Sequence, residues 1–274
     1  MKALPVSGAL GALVEGIDLA KASTLELTEL RSALDRYLVL CVPGQNLNRF
    51  ALAKLGRFFG APFLHPIVDN GFKDCPEVLQ LLREPDQTKL FGGESWHTDC
   101  SWLEPTGYVS ILHGLEVPPF GGDTAFASTQ ASFESLSHGL KEVLRGVRAM
   151  HSYYWYERRE DPAWTVSHPA VRLHPATQGE GLYVNRMFTN RFENMTVDES
   201  APLLDYLFSQ MERHEFTCRF RWQVGNVLLW DNRFTLHYPI NDFSGQRRRM
   251  IRTTCLETDA GAEKIVGLVE RAIA

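Results

Sequence analysis

Apolar residues recur along this chain with two different periods, and those periods divide it into elements. Leu25, Leu27, Leu30, Ala33 and Leu34 share a helical face behind Ser23-Thr24-Leu25-Glu26, which has the form of a capping box, so a helix is predicted over 24–36. Upstream, 8–19 is rich in Gly and Ala with scattered aliphatics and reads as a strand or two. Residues 37–42 are a short apolar run closed by Pro43-Gly44, the pattern of a buried strand entering a turn, and a second amphipathic helix is predicted over 48–59, stopped by Gly60. Helical spacing then disappears. Residues 78–82 and 108–117 read as strands, and the prolines and glycines of 118–124 exclude a helix interior. Helical spacing returns at 129–144 and 199–212. Between these helices, 151–164 is a polar and aromatic stretch read as a loop or lid, and strands are predicted at 168–174 and 182–185 around a turn at 175–181. Phe216, Cys218, Phe220 and Trp222 alternate with Thr217, Arg219, Arg221 and Gln223, the two-residue period of a strand with one buried face. Strands at 227–230 and 248–256 and a last helix at 262–273 complete the chain. The sum is mainly β with flanking helices, an α+β pattern whose closed solution is a jelly roll or barrel.

Composition narrows the class without identifying it. With 274 residues, 44% of them apolar, the chain can bury a substantial core, and no repeat, low-complexity tract or linker divides it. One domain over 1–274 is expected, with a lid or insert near 153–180. The 28 basic and 33 acidic residues nearly balance, so nucleic acid and anionic membrane are not expected partners, and any anion must be bound locally. The N-terminus lacks the apolar run of a signal peptide and no stretch is long enough to span a bilayer, from which a cytoplasmic location is expected. Five scattered cysteines without a C-x-x-C pair read as free thiols, and Asn194-Met195-Thr196 as an accidental sequon.

The stretch Ser95-Trp96-His97-Thr98-Asp99 carries the chemistry. If its backbone is extended, His97 and Asp99 project from one face with Thr98 turned away, two corners of a metal site. Cys100 would then point away and is not counted as a ligand. Of the nine histidines, His138, His174 and His214 sit in polar or helical settings and read as surface residues, and His113, in an apolar strand, as a hydrogen-bonded core histidine. His237 stands apart, following a buried strand and preceding a basic cluster. Two imidazoles and one carboxylate form the facial triad of non-haem Fe(II) oxygenases, which leaves adjacent positions open. The same three ligands would also serve a Zn hydrolase, and a non-enzymatic anion-binding β-sandwich would use its His and Arg residues without a metal.

Trp96-His97-Thr98-Asp99, Gly121-Gly122-Asp123-Thr124, Trp230-Asp231-Asn232-Arg233 leading to His237-Tyr238, then Gln246-Arg247-Arg248 and Arg252 together resemble the TauD/TfdA family of Fe(II)- and 2-oxoglutarate-dependent dioxygenases, in order and spacing over nearly the whole chain. The resemblance implies a double-stranded β-helix (a cupin-like jelly roll) in which His97, Asp99 and His237 hold Fe(II), and Thr124 and Arg248 bind the far carboxylate of 2-oxoglutarate. It further implies O2 as cosubstrate, hydroxylation of a C–H bond with release of succinate and CO2, and a homo-oligomer, dimer or tetramer. Arg252, two alternations along the strand from Arg248, and His65 are the candidates for the anionic head of a small organic substrate, and Phe188 for the wall of its cavity. Arg247 and Arg249, on the other face, read as solvated. Where taurine enzymes place a Tyr and an Asn against substrate, this chain has Val68 and Gly93. The loss of two polar groups makes room for a larger or more apolar anion, such as an alkyl sulfate, an aryloxyalkanoate or another organic acid.

Overall fold

The computed structural model describes residues 1–66, 70–87 and 95–257, so the helix predicted at 262–273 and the positions Val68 and Gly93 lie outside the described residues. The N-terminal part contains β1 (Lys2–Pro5), β2 (Ala12–Glu15), α1 (Thr24–Tyr37), β3 (Val39–Val42) and α2 (Arg49–Phe59). It continues through β4 (Ala61–Pro62), β5 (Gly71–Phe72), β6 (Cys75–Arg83), β7 (Gly107–Glu116) and β8 (Thr124–Ser128). Next come α3 (Thr129–Glu134), α4 (His138–Arg145), β9 (Arg148–Ser152), β10 (Thr165–Pro169), β11 (Val171–Leu173), β12 (Glu180–Leu182) and β13 (Thr189–Phe192). The chain closes with α5 (Val197–Met211), β14 (Thr217–Phe220), β15 (Val227–Asp231), β16 (Thr235–Pro239) and β17 (Arg248–Leu256).

A large sheet runs β1-β2-β3-β15-β7-β17-β6-β5, with β4 added beside β17, and a three-stranded sheet β14-β8-β16 faces it. Between them lie Phe126, Trp222, Leu228, Trp230 and Met250, all buried, which seal the two faces as a jelly roll. The outer face of the large sheet is covered by α1 and α2 through Leu30, Leu34, Leu52 and Phe59. Alternation along β17 assigns these faces. Arg248, Met250, Arg252 and Thr254 point between the sheets, whereas Ile251 and Cys255 join the helix-covered core. A third layer, built from the sheet β10-β9-β13 with α3 to α5, packs around Phe133, Phe192, Leu207 and Leu236 and closes the other side of the three-stranded sheet.

Several elements differ from their predicted form. Tyr37 ends α1 instead of starting a strand, because Leu38 turns left-handed (φ 63°) and its N–H returns to Leu34 O at 2.7 Å. The helix predicted over 129–144 is two, since Ser137 caps a new start through Leu140 N at 3.4 Å. The strand predicted at 216–223 is ordered only over β14, although Trp222 stays buried as its alternation requires. His151 and Ser152 belong to β9 and not to a loop, and 168–174 is divided between β10 and β11. Strands β8 and β16 had no predicted counterpart. They are buried on both faces over most of their length and so carry no two-residue alternation. No helix among the described residues is long and apolar enough to cross a membrane.

Candidate active site

The stretch 95–99 is not a regular strand. His97 makes a single antiparallel bridge to His237, with N–H to O distances of 3.1 and 2.7 Å, and the chain then turns at Cys100, whose φ is 60°. The turn sends Thr98 into the protein, where its hydroxyl donates to Asn232 O, and it aims Cys100 into the cavity it was expected to face away from. Burial holds the Cys100 thiol well above its ordinary range, leaving it an apolar wall. The bridge also sets the two imidazoles side by side, with ring centroids 4.0 Å apart.

His237 is delivered by the turn between β15 and β16. Buried Asp231 receives Arg233 Nη2 at 2.6 Å and Nε at 2.9 Å, and its carbonyl accepts the Thr235 hydroxyl at 2.7 Å, so Trp230-Asp231-Asn232-Arg233 folds on its own side chains. Within it, Asn232 Oδ1 accepts Asp99 N–H at 3.1 Å and Trp230 Nε1 at 2.9 Å, while its Nδ2 donates to Ser110 Oγ at 2.9 Å. Ser110 in turn donates to Asp99 Oδ2 at 2.6 Å, and Arg252 Nη1 donates to Asp99 Oδ1 at 3.1 Å. Asp99 Oδ1 lies 4.0 Å from His237 Nε2.

One donor atom from each of His97, Asp99 and His237 falls within 4.8 Å of the other two, and all three residues are buried. His97 Nδ1 donates to Ser95 O at 2.8 Å, which fixes the tautomer and leaves Nε2 with a free lone pair. Burial holds both imidazoles below their ordinary pKa, His237 well below, so both are neutral at pH 7. Burial would also push Asp99 up, but Arg252, the two imidazoles and the Ser110 hydroxyl outweigh it and keep the carboxyl ionised. Two neutral nitrogen donors and one anion suit a divalent iron and leave it net positive.

A second trio brings donor atoms equally close, namely Asp35, His174 and Asp231. His174, expected on the surface, is fully buried because Pro175 to Gly181 folds back over it. Its Nδ1 accepts the N–H groups of Ala176 and Thr177, each at 3.2 Å, so Nε2 carries the proton and faces Asp231 at 3.7 Å and Asp35 at 3.8 Å. That nitrogen offers no lone pair to a cation. The trio instead ties α1 to the turn that delivers His237.

All eight predicted site residues line one cavity of about 560 Å³. At one reach lie Thr124 and Arg248. Thr124 follows Gly121 and Gly122, whose φ values of 74° and 69° wrap the chain around Asp242, and a Cβ on Gly121 would meet Asp242 Oδ1 at 2.7 Å. Asp242 Oδ1 accepts Gly122 N–H at 2.7 Å, and the Thr124 hydroxyl accepts Trp222 Nε1 at 3.0 Å. Arg248 touches Gly122 O at 3.4 Å, and burial, reinforced by Arg83, lowers its pKa to about 10. At another reach lie His65, Arg252 and Phe188. The His65 ring packs between Phe63, Trp102 and Tyr153, at centroid distances of 5.4, 6.0 and 6.1 Å, and burial followed by Arg252 lowers its pKa to about 4. Phe188 presents its ring to His97 at 6.1 Å and stacks with Tyr153 at 6.3 Å. His113, as expected, is a core histidine bonded to Gln45 O at 3.3 Å, and His138 and His214 are exposed.

The cavity also contains residues that were not singled out from the sequence. Trp102, Tyr153, Tyr156 and Met187 supply its apolar wall, and Arg83 reaches it from β6. The expected lid at 153–180 is not one piece. Short 3-10 turns at Tyr153–Glu157 and Pro162–Trp164 sit beside the cavity, and the remainder runs through β10, β11 and β12. Asn232 lay inside a motif already quoted, but nothing in sequence order tells which of its residues turns toward Asp99.

The model of the taurine catabolism dioxygenase TauD, TfdA family matches residues 2–254. An alkylsulfatase of Acinetobacter baylyi is 31% identical over 96% of this chain and 87% of its own length. An alpha-ketoglutarate-dependent sulfate ester dioxygenase of Pseudomonas putida is 31% identical over 91% of this chain and 87% of its own. The crystal structure of a taurine dioxygenase from Burkholderia xenovorans superposes with a TM-score of 0.81 at 33% identity, over 93% of this chain and 89% of that one.

Proposed function

The chain belongs to the TauD/TfdA family of Fe(II)- and 2-oxoglutarate-dependent dioxygenases, and from that premise we propose that His97, Asp99 and His237 hold its iron, that Thr124 and Arg248 bind the far carboxylate of 2-oxoglutarate, and that Arg252 with His65 seats the anionic head of a small organic substrate. The observation that carries this reading is the convergence of three neutral-or-anionic donor atoms within 4.8 Å in a cavity whose two reaches each contain an arginine. Neither a Zn hydrolase nor a plain anion-binding protein gives the Thr124–Arg248 reach a task.

Bound iron supplies oxidative decarboxylation of 2-oxoglutarate to succinate and CO2, coupled to insertion of the second oxygen atom of O2 into a substrate C–H bond. The protein's own part is positional. Arg248 offers a planar donor fork and Thr124 a hydroxyl, so the cosubstrate is held at the end remote from the reacting centre. Arg252 bridges two tasks, since one nitrogen steadies Asp99 at 3.1 Å while the rest of the guanidinium faces the cavity. Trp102, Tyr153, Tyr156, Met187 and Phe188 exclude water from the substrate body and suit a long alkyl or aryl group better than a two-carbon one. The substrate class is therefore an organic anion with an apolar body, a sulfate ester, sulfonate or aryloxyalkanoate, in which hydroxylation of the carbon next to oxygen or sulfur leads to cleavage.

Anaerobic addition of Fe(II) and 2-oxoglutarate is expected to raise a visible charge-transfer band that His97→Ala loses. Absence of the band, or its survival in the variant, would overturn the ligand assignment. A screen of such anions for substrate-stimulated succinate release then identifies the substrate.

A further inference from the structure

Arg248 has a twin. In the antiparallel pairing of β6 with β17, Arg83 stands directly opposite Arg248, and both side chains line the same cavity. Arg83 is 7% exposed, its Nη1 is buried with no hydrogen-bond partner, and Arg248 Nε is buried in the same condition. Their guanidinium carbons lie over one aromatic ring, that of Phe243, at 4.6 and 5.6 Å. Among the described residues neither is in an ion pair. Asp123, whose charge acts on Arg248, pairs through Oδ2 with Arg219 Nε at 2.6 Å and forms no ion pair with either guanidinium.

A shortage of carboxylates is not the cause. On the outer face of the same strand region, half-exposed Arg247 and Arg249 are both paired, with Glu84 and Glu116 at 3.1 and 2.7 Å and with Glu116 at 2.7 Å. Pairing is thus supplied where water would have sufficed and withheld where burial makes it matter most. Like charges directly opposite on two strands repel, and a guanidinium cannot escape by losing its proton at neutral pH. Burial without a counter-charge costs stability that packing on Phe243 only partly offsets. Such a pair is stable in the presence of an anion that both forks can reach.

We propose that Arg83 is a second positioning residue for the cosubstrate, which with Arg248 clamps the distal carboxylate of 2-oxoglutarate and selects a 2-oxo dicarboxylate over a 2-oxo monoacid. The inference rests on the reading of Arg248 given above. Each guanidinium takes one carboxylate oxygen, and Thr124 adds its hydroxyl. Two positive charges committed to one carboxylate make the site intolerant of a ligand that ends in a methyl group.

The test uses the full chain loaded with Mn(II), which holds the cosubstrate without turnover, and titrates 2-oxoglutarate and 2-oxopentanoate calorimetrically into wild type, Arg83→Met, Arg83→Lys and Arg248→Met. Arg83→Met is expected to weaken 2-oxoglutarate about tenfold or more while 2-oxopentanoate changes less than about twofold, with Arg83→Lys in between. The melting temperature of the metal-free protein should hold or rise in Arg83→Met, because a repulsion has been removed. Equal weakening of both acids, or unchanged 2-oxoglutarate affinity with a lowered melting temperature, would make Arg83 a structural residue and overturn the inference. If Arg248→Met weakens 2-oxoglutarate and Arg83→Met does not, the inference alone falls. If neither does, the cosubstrate reading falls with it.

Discussion

Replacing Ser110 by alanine tests whether the metal centre depends on the groups behind its ligands. Ser110 Oγ donates to Asp99 Oδ2 at 2.6 Å and accepts from Asn232 Nδ2 at 2.9 Å, inside a site where all three residues are buried. The substitution removes one hydrogen bond to an ionised acceptor, about 1.5–3 kcal/mol, which corresponds to about a ten- to hundredfold loss in affinity if Asp99 must be held in one orientation to bind metal. Removal of an outer partner from a metal ligand falls in the same range, about 10–100-fold. The cost to the fold is limited to one hydroxyl. Asn232 Nδ2 keeps Tyr108 O at 3.3 Å, the buried Thr254 hydroxyl loses the Ser110 oxygen it reaches at 3.0 Å, a cost of about 1–3 kcal/mol, and Arg252 at 3.1 Å keeps the carboxylate in place while leaving it free to rotate. The assay is anaerobic titration of Fe(II) at saturating 2-oxoglutarate, read from the visible charge-transfer band, beside a thermal melt of the metal-free protein. Metal affinity within about twofold of wild type would refute the orienting role. A melting temperature lowered by more than about 10 °C would place the effect in the fold instead.

Arg252→Ala should raise the KM of the primary substrate at least about tenfold, measured at Fe(II) high enough to restore the iron and 2-oxoglutarate band after Asp99 loses its 3.1 Å partner, and unaltered substrate binding would refute its role. Gly121→Ala puts a Cβ 2.7 Å from Asp242 Oδ1 at φ 74°, so the denaturant midpoint should fall by the equivalent of about 1–3 kcal/mol and 2-oxoglutarate should bind more weakly as Thr124 is displaced. A normal midpoint would show that the turn is not strained against Asp242. His168 is held at about 4 and His151 well below its ordinary value, both chiefly by burial, so the unfolded chain takes up their protons first as pH falls. The stability they contribute is complete above about pH 6.5 and is lost toward pH 4, so the melting temperature of the metal-free protein should decline from pH 7 to pH 5, where a flat profile would count against their neutral burial.

The candidate site was legible in the sequence where it is carried by residue identity at fixed spacing. His97, Asp99 and His237, the Gly121-Gly122 turn before Thr124, and the alternation that puts Arg248 and Arg252 on one face all required only local order. What was not legible depends on which strands become neighbours. Ser110 sits in a strand that was predicted, yet its bond to Asp99 exists only because β7 lies beside β17 and β15. Arg83 lies one residue past the strand predicted at 78–82 and was not singled out, and its meaning appears only with the register that sets it opposite Arg248. His174 was placed on the surface because its neighbours in sequence are polar, whereas its neighbours in space are Asp35, Asp231 and Phe234. Strands β8 and β16 were missed for the converse reason, since burial on both faces erases the period that reveals a strand.

Strand β17 explains why the site depends on register as much as on residue type. Its inward positions are in turn Arg248, the proposed cosubstrate anchor, Met250 in the core, Arg252 on Asp99 and Thr254 on Ser110 (3.0 Å). At about 3.4 Å per residue, Arg248 and Arg252 stand about 13–14 Å apart along the strand, which puts that distance between the sites proposed for the far end of the cosubstrate and the head of the substrate. A slip of one residue would turn all four outward and bring Arg249, Ile251, Thr253 and Cys255 inward, leaving the strand one misplaced charge in the cavity where it now presents two. The pairing with β7 is interrupted between Arg249 and Met250 and again between Thr254 and Leu256. The first falls between Arg248 and Arg252 and the second just past Thr254, and each resists sliding because it would have to move with the strand. Register is further held from outside, where a Cβ on Gly56 of α2 would meet Thr253 Cγ2 at 2.9 Å, so the helix backbone rests directly on the outward face of β17. The glycine is therefore part of the active site's geometry although it lies on the far side of the sheet from every ligand.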